Sequence, residues 1–288
     1  MARLRGTSER RDPPAHGDCP TDDPALDDAG RRRGSAAGWT WNNTTSTEGV
    51  SGILGRNHAA WAAALWAAGW PYLDEVPVGS SLAATGTSDM ALFGVTTAIA
   101  AGSGVIPDLD HPAAKGSEHY GYLSKLIAKI TGESADGHRA GTHTLAFAAL
   151  MAGLAVAAAH WPEPGRIGAT AWAAFCASVG LGLLGPSLGF TVPVPADVVI
   201  ALAVGGYVWA RFDLVAPLLW LLAAGGVIVH IACDVVTKGG VPFLRPFTRR
   251  RFCLKLFSVG GIGEGFAGLI GYALLIWAIY SVVSVASV

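Results

Sequence analysis

Short polar islands interrupt an otherwise apolar sequence, and each carries residue types that bind divalent cations. They are Gly55-Arg56-Asn57-His58, Pro107-Asp108-Leu109-Asp110-His111-Pro112, the stretch His138 to Thr144 (HRAGTHT), His230-Ile231-Ala232-Cys233-Asp234, and Glu264 within the glycine-rich SVGGIGEGF. Imidazole and carboxylate without thiolate is a donor set for Zn²⁺, Mn²⁺ or Fe²⁺. We expect zinc first. His58, Asp108, Asp110, His138, His143, His230 and Asp234 exceed the ligand set of one tetrahedral ion, so one or two ions are accommodated. Their spacing is informative. His230 and Asp234, at i and i+4, share a helix face one turn apart. Asp108 and Asp110 flank one residue, so an extended or turn backbone sends both carboxylates the same way. His138 and His143 do not share a helix face and suit a loop that closes onto the helix starting near Thr142.

The chemistry such a set supports is hydrolysis. Two ions about 3.5–4 Å apart clamp the attacking and leaving oxygens of a phosphoester, and Arg139 is placed to hold its anionic group. Asp110, Asp234 or Glu264 could accept the proton of the activated water, and all three stay open. Each island also has a plainer use. A lone histidine at a helix end is more often a cap or interfacial residue, Asp108 and Asp110 can stop a helix before Pro112, and Thr142 can N-cap the next one. The glycine-rich stretch around Glu264 lacks the preceding strand and following lysine of a phosphate loop and reads as close helix packing.

The elements that must position these islands follow from composition. Hydrophobic residues make up 51% of the 288 positions and charged ones 14%, too little charge to cover a water-soluble surface. Apolar segments run over 58–70, 88–106, 144–160, 167–189, 196–211, 214–232 and 266–287. Those at 88–106, 167–189, 214–232 and 266–287 comfortably reach spanning length, 144–160 just does, and 58–70 and 196–211 are short. The expected fold is an all-α polytopic transmembrane bundle of about five to seven spans over residues 53–288. Residues 1–52 are Arg/Asp/Pro/Gly-rich text that cannot bury enough apolar surface to offset chain entropy, and read as a disordered tail. No apolar run follows the early arginines as in a signal peptide. Cys19, Cys176, Cys233 and Cys253 form no CxxC, which argues against a zinc ribbon or redox motif. Residues 113–137 have the spacing of a short amphipathic surface helix, and Arg249-Arg250-Arg251 reads as an anchor to anionic headgroups.

Topology decides between site and scattered caps. Lys and Arg concentrate in the tail and in 107–143 and 233–265, while 71–87, 161–166 and 212–213 hold almost none, which places the tail and those segments in the cytoplasm and the C-terminus outside. Run forward from His58, alternating crossings deliver every island to that same cytoplasmic end.

In this order, GRNH, PDLDHP, HRAGTHT, HIACDVVTKGGVPFLRPF (His230 to Phe247) and the later Glu264 resemble the YdjM-like family of inner-membrane-associated, metal-dependent hydrolases, also described as LexA-binding. The resemblance covers about residues 53–265. It implies an inner-membrane, multi-pass hydrolase whose metal ligands come from His58, Asp108, Asp110, His138, His143, His230 and Asp234, with Glu264 a less central member. It gives His111 and Thr142 supporting parts, and Arg139 a substrate or supporting one. The long tail and the extra apolar segments between His143 and His230 depart from smaller relatives. The expected activity is cleavage of a phosphoester, with a lipid among the candidates, by a metal-activated water at the cytoplasmic face. Membrane lipids, and a protein partner through the tail, are the expected associations, without direct nucleic-acid binding. The rivals are a metal-stabilised scaffold without turnover, and a transporter using His230 and Asp234 as an ion relay. Transport predicts polar residues through the bilayer midplane, where these spans carry Ala, Gly, Val and Leu.

Overall fold

The computed structural model describes residues 48–75, 89–110, 141–189 and 193–286. Residues 1–47 of the tail read as disordered, the 113–137 helix, His111, and two of the expected site residues, His138 and Arg139, lie outside the described residues, while the last five tail residues, 48–52, belong to the first helix. Long helices dominate what is described: α1 (Glu48–Gly69), α2 (Met90–Ser103), α3 (Leu145–His160), α4 (Pro162–Leu184), α5 (Val194–Ala210), α6 (Leu219–Val235) and α7 (Ile262–Ala286). Isolated bridges stand in for strands among the described residues. The fold is the expected all-α bundle. Segments Glu163–Leu188, Phe212–Val235 and Ile262–Ala286 are long and apolar enough to cross a membrane. Leu150 and Leu154 on α3, Leu202 on α5, and Trp277 and Tyr280 on α7 are exposed on outer faces. Helices that are apolar all round suit a lipid surround rather than water.

Two helices differ from the reading of their apolar runs. No proline stands between Glu48 and His58, so α1 starts well before the first apolar run and His58 lies inside it, not at its start. The 88–106 run, by contrast, does not make one span. Asp89 caps α2, its carboxylate accepting from the Leu92 amide at 2.9 Å. The helix then ends at Ser103, and a 3₁₀ turn, Ile106–Asp110, follows. Gly104 weakens the continuation and Pro107 supplies no amide to it. At 14 residues, α2 is about 21 Å long, short of the roughly 30 Å apolar layer. It tolerates this by sitting in the middle of the bundle, packed on α1, α4 and α6.

The site end is assembled around α2. Trp70, just past the end of α1, meets Phe93 near the start of α2 with ring centroids 5.3 Å apart, so the two helices run antiparallel. At the other end a Cβ on Gly104 would fall 2.8 Å from the His58 carbonyl oxygen, and one on Gly226 of α6 would fall 2.4 Å from the Ser103 Cβ. Backbones this close require glycine. They bring α1, α2 and α6 into contact where their polar residues stand. The chain between α6 and α7 folds back over this end. Lys238 donates to the Phe257 carbonyl at 2.9 Å, Val241 and Phe252 exchange backbone bonds, and the Leu145 amide donates to Phe243 at 2.9 Å, which ties the start of α3 to the return segment.

Candidate metal centre

Separate elements deliver the site. His58 comes from α1, Asp108 and Asp110 from the 3₁₀ turn after α2, His143 from the turn before α3, and His230 and Asp234 from one face of α6. Thr144, not Thr142, caps α3, its hydroxyl accepting from the Phe147 amide at 3.1 Å. That leaves Thr142 for the site. His143, His230 and Asp234 are completely buried, and His58 and Asp110 nearly so.

The hydrogen bonds behind each imidazole fix what faces inward. His230 Nδ1 lies 2.7 Å from the Gly104 carbonyl oxygen, which can only accept, so this nitrogen carries the proton. The Thr142 hydroxyl donates its one proton to Asp110 Oδ2 at 2.5 Å and therefore accepts from His143 Nδ1 at 3.0 Å. Asp110 itself stands 3.5 Å from the same nitrogen. With Nδ1 protonated on both rings, each Nε2 presents a lone pair whenever its ring is neutral. Those two nitrogens are 3.1 Å apart. Facing lone pairs at that distance repel, and only a positive charge between them, a proton or a cation, turns the contact favourable.

Carboxylates complete the ring. Asp108 Oδ1 is 3.7 Å from His143 Nε2 and 3.5 Å from His230 Nε2. Asp234 Oδ2 is 3.5 Å and 3.6 Å from the same pair. A tetrahedral cation with bonds of about 2.0–2.2 Å separates its ligand atoms by about 3.3–3.6 Å, and the observed distances straddle that range. A second group joins His58, His230 and Asp234. The His58 ring stacks on His230 with centroids 3.8 Å apart, and its Nε2 stands 3.8 Å from Asp234 Oδ1. Asp234 thus turns one oxygen to each group. These residues could hold a metal ion.

Charge favours a cation as well. Asp108, Asp110 and Asp234 put three carboxylates in a space whose named partners are histidines and Thr142. Burying like charges together is costly unless a counter-charge joins them. Burial alone would lower the His143 basicity, but hydrogen bonds to Asp108 and Asp110 and the nearby Asp234 charge raise it to about 9. Burial likewise pushes Asp108 up, yet the neighbouring His230, the bond to His143 and the nearby His58 hold it well below the usual carboxylate range. The pocket attracts positive charge.

The expected site residues therefore divide. His58, Asp108, His143, His230 and Asp234 converge through their ligand atoms. Asp110 sits behind His143, in the place from which a carboxylate orients a metal-binding imidazole. Glu264, buried in the first turn of α7, accepts from Asn57 Nδ2 at 3.3 Å through Oε1 and from the Gly260 amide through Oε2. Two contributors were not singled out from sequence. The Gly104 carbonyl carries no side-chain signal, and Asn57 showed itself only as the neighbour of His58.

A family model described as YdjM inner membrane protein matches the chain over residues 53–188 and 189–287. No curated protein and no solved structure matches it.

Proposed function

Since the chain belongs to the YdjM inner membrane protein family, we propose that it is a membrane-embedded hydrolase that holds a divalent cation, zinc first, and cleaves a phosphoester. The observation that carries this reading is the 3.1 Å approach of two buried Nε2 atoms between the carboxylates of Asp108 and Asp234. A bound divalent cation supplies Lewis acidity, polarising a phosphoryl oxygen and making water acidic near neutral pH. The chain's own residues do the rest. His143 and His230 offer nitrogen lone pairs kept in place by the Asp110–Thr142 pair and by the Gly104 carbonyl, and Asp108 and Asp234 offer anionic oxygens. Water adds to phosphorus, the ester P–O bond breaks, and the water proton passes to a carboxylate and on to the leaving oxygen, giving an alcohol and a phosphomonoester. Of the carboxylates considered, Asp234 fits the proton-accepting part best. Asp110 is engaged with Thr142 and His143, and both Glu264 oxygens are held by Asn57 and Gly260. Asp234 Oδ1 lies 3.8 Å from His58 Nε2, and both residues line the cleft that opens beside the ligand groups. Arg139 is assigned to the substrate anion and His138 to a further ligand.

The site end faces the cytoplasm in this reading, because Lys238, Arg245, Arg249, Arg250, Arg251 and Lys255 lie in the return segment beside it. The deciding experiment is metal analysis of purified protein beside His143→Ala and Asp234→Ala, with a phosphodiester and phospholipid hydrolysis panel. Metal and turnover should disappear together. Metal kept in full by both variants would refute the ligand set, and full metal without turnover on any substrate would replace the enzyme with a metal-stabilised scaffold.

A further inference from the structure

A cleft of about 500 Å³ opens directly against the metal centre, a volume ordinary for a ligand pocket. Its shape follows from packing. α6 and α7 both lie on α1 but do not pack appreciably on each other, which leaves a groove between them floored by α1. Polar lining residues stand at one end, where the ligand residues His58 and Asp234 reach the cleft and Asn57 and Glu264 close the wall. Beyond them the lining is apolar, with Trp61 and Leu65 on α1, Ile228 on α6 and Ala267 on α7. Leu65 is two helical turns from His58, about 10 Å further into the apolar layer. The wall's own polar groups are spent internally: the Trp61 indole donates to the Ala267 carbonyl at 3.2 Å, and Asn57 to Glu264. Leu65, one turn before the end of α1, and Ile228, two turns before the end of α6, are about half exposed at 47% and 48%, so the groove opens through the side of the bundle.

We infer that this cleft seats a hydrocarbon chain of a membrane phospholipid, which slides in from the bilayer between α6 and α7 and brings its phosphoester to the Asp234–His58 edge. The groove's polarity matches that of an amphiphile, one polar end and one apolar length. A water-soluble phosphoester would leave the apolar length empty, whereas a lipid chain moves into it from surroundings equally apolar and meets no desolvation barrier. The fate of the lipid rests on the hydrolase reading, but its seat does not.

The test uses the full chain in lipid nanodiscs with a phospholipid that carries a photoactivatable group on its acyl chain. Crosslinks should concentrate on the cleft walls, at Leu65 and Ile228. Ala232→Phe, which places a ring in the groove without altering a cation ligand, should reduce those crosslinks about tenfold. Val199→Phe on the outer face of α5 should leave them unchanged. Ile228→Trp provides a second obstruction at a half-exposed position should the first variant misfold, with metal content as the check on the folded site. Ala232→Phe should also lower kcat/KM for a long-chain phospholipid relative to a short, water-soluble phosphodiester. Labels spread evenly over the outer faces and indifferent to Ala232→Phe would overturn the seat, even if the soluble phosphodiester were still cleaved. Cleft labelling without turnover on either substrate would uphold the seat and remove only the hydrolase.

Discussion

Polar residues gather at both ends of this bundle, but they behave in opposite ways. Away from the metal centre, Asp89 caps α2, stands 3.8 Å from Arg211 and accepts from the Tyr207 hydroxyl at 3.4 Å. Arg166 lies over the rings of Trp209 and Phe212 at about 5.5 Å. Each of these three charges has a local partner of the complementary kind, and the Asp89–Arg211 pair is partly in solvent, where such pairs contribute little. At the other end, carboxylates meet fully or largely buried imidazoles, and the Nδ1 protons of His143 and His230 are directed outward so that their Nε2 atoms face one another. Aspartate at a helix end is common to both. What separates a site from a cap is convergence, burial and an excess of one sign of charge.

The sharpest test of that contrast is Asp234→Asn, which keeps the shape of the side chain but removes the charge turned to both ligand groups. Turnover should fall by roughly 10³, with metal content falling alongside it. Chelation should lower the Tm of the wild-type protein, since a ligand held at about 1,000 times its Kd adds about 4 kcal/mol to folded-state stability, and should leave Asp234→Asn unmoved. Equal chelator sensitivity in both proteins would mean that the cation sits elsewhere. Asp110→Asn should do less. The ligand atoms survive, but the partner that orients His143 is weakened, so metal affinity should drop about 10- to 100-fold, as read by competition with a metal indicator. An effect as large as that of Asp234→Asn would place Asp110 among the ligands instead of behind one.

That distinction between Asp110 and the ligands was beyond the sequence, and the reason is local. Spacing of two residues suggests that an extended or turn backbone sends Asp108 and Asp110 the same way, which holds only for the extended case. Residues 106–110 form a 3₁₀ turn instead. With three residues per turn, i and i+2 diverge, and the two carboxylates reach opposite nitrogens of His143. Sequence reading does better where a regular helix carries the pair, as with His230 and Asp234 on α6. It also does well where topology alone matters, since alternating helices bring the islands to one end whatever their exact bounds. It fails where the outcome depends on how closely backbones approach. The Gly104 carbonyl behind His230, and the gap between α6 and α7, are properties of packing that no residue type announces.

Packing at the centre of the bundle should link the two ends' different sensitivities. Gly226→Val would force a side chain against Ser103, where even a Cβ lies 2.4 Å away, and the α6 backbone would have to retreat from α2. Overpacking of this kind costs about 1–3 kcal/mol. Because His230 follows one turn later on α6, the same shift should loosen its bond to Gly104 and weaken metal binding, although no ligand has been changed. Stability lost with metal affinity fully retained would show that the centre does not depend on this crossing.

The smallest effect belongs to the ordinary end. Asp89→Ala removes the α2 cap and the contacts to Arg211 and Tyr207, and should cost about 1 kcal/mol, seen as a modest fall in Tm. Metal content and turnover should stay at wild-type levels, because α2 remains clamped between α1, α4 and α6 and its other end is held by the close approaches to His58 of α1 and Gly226 of α6. If Asp89→Ala released the metal, the ends would be coupled through α2, and the central helix would be transmitting strain to the site rather than insulating it.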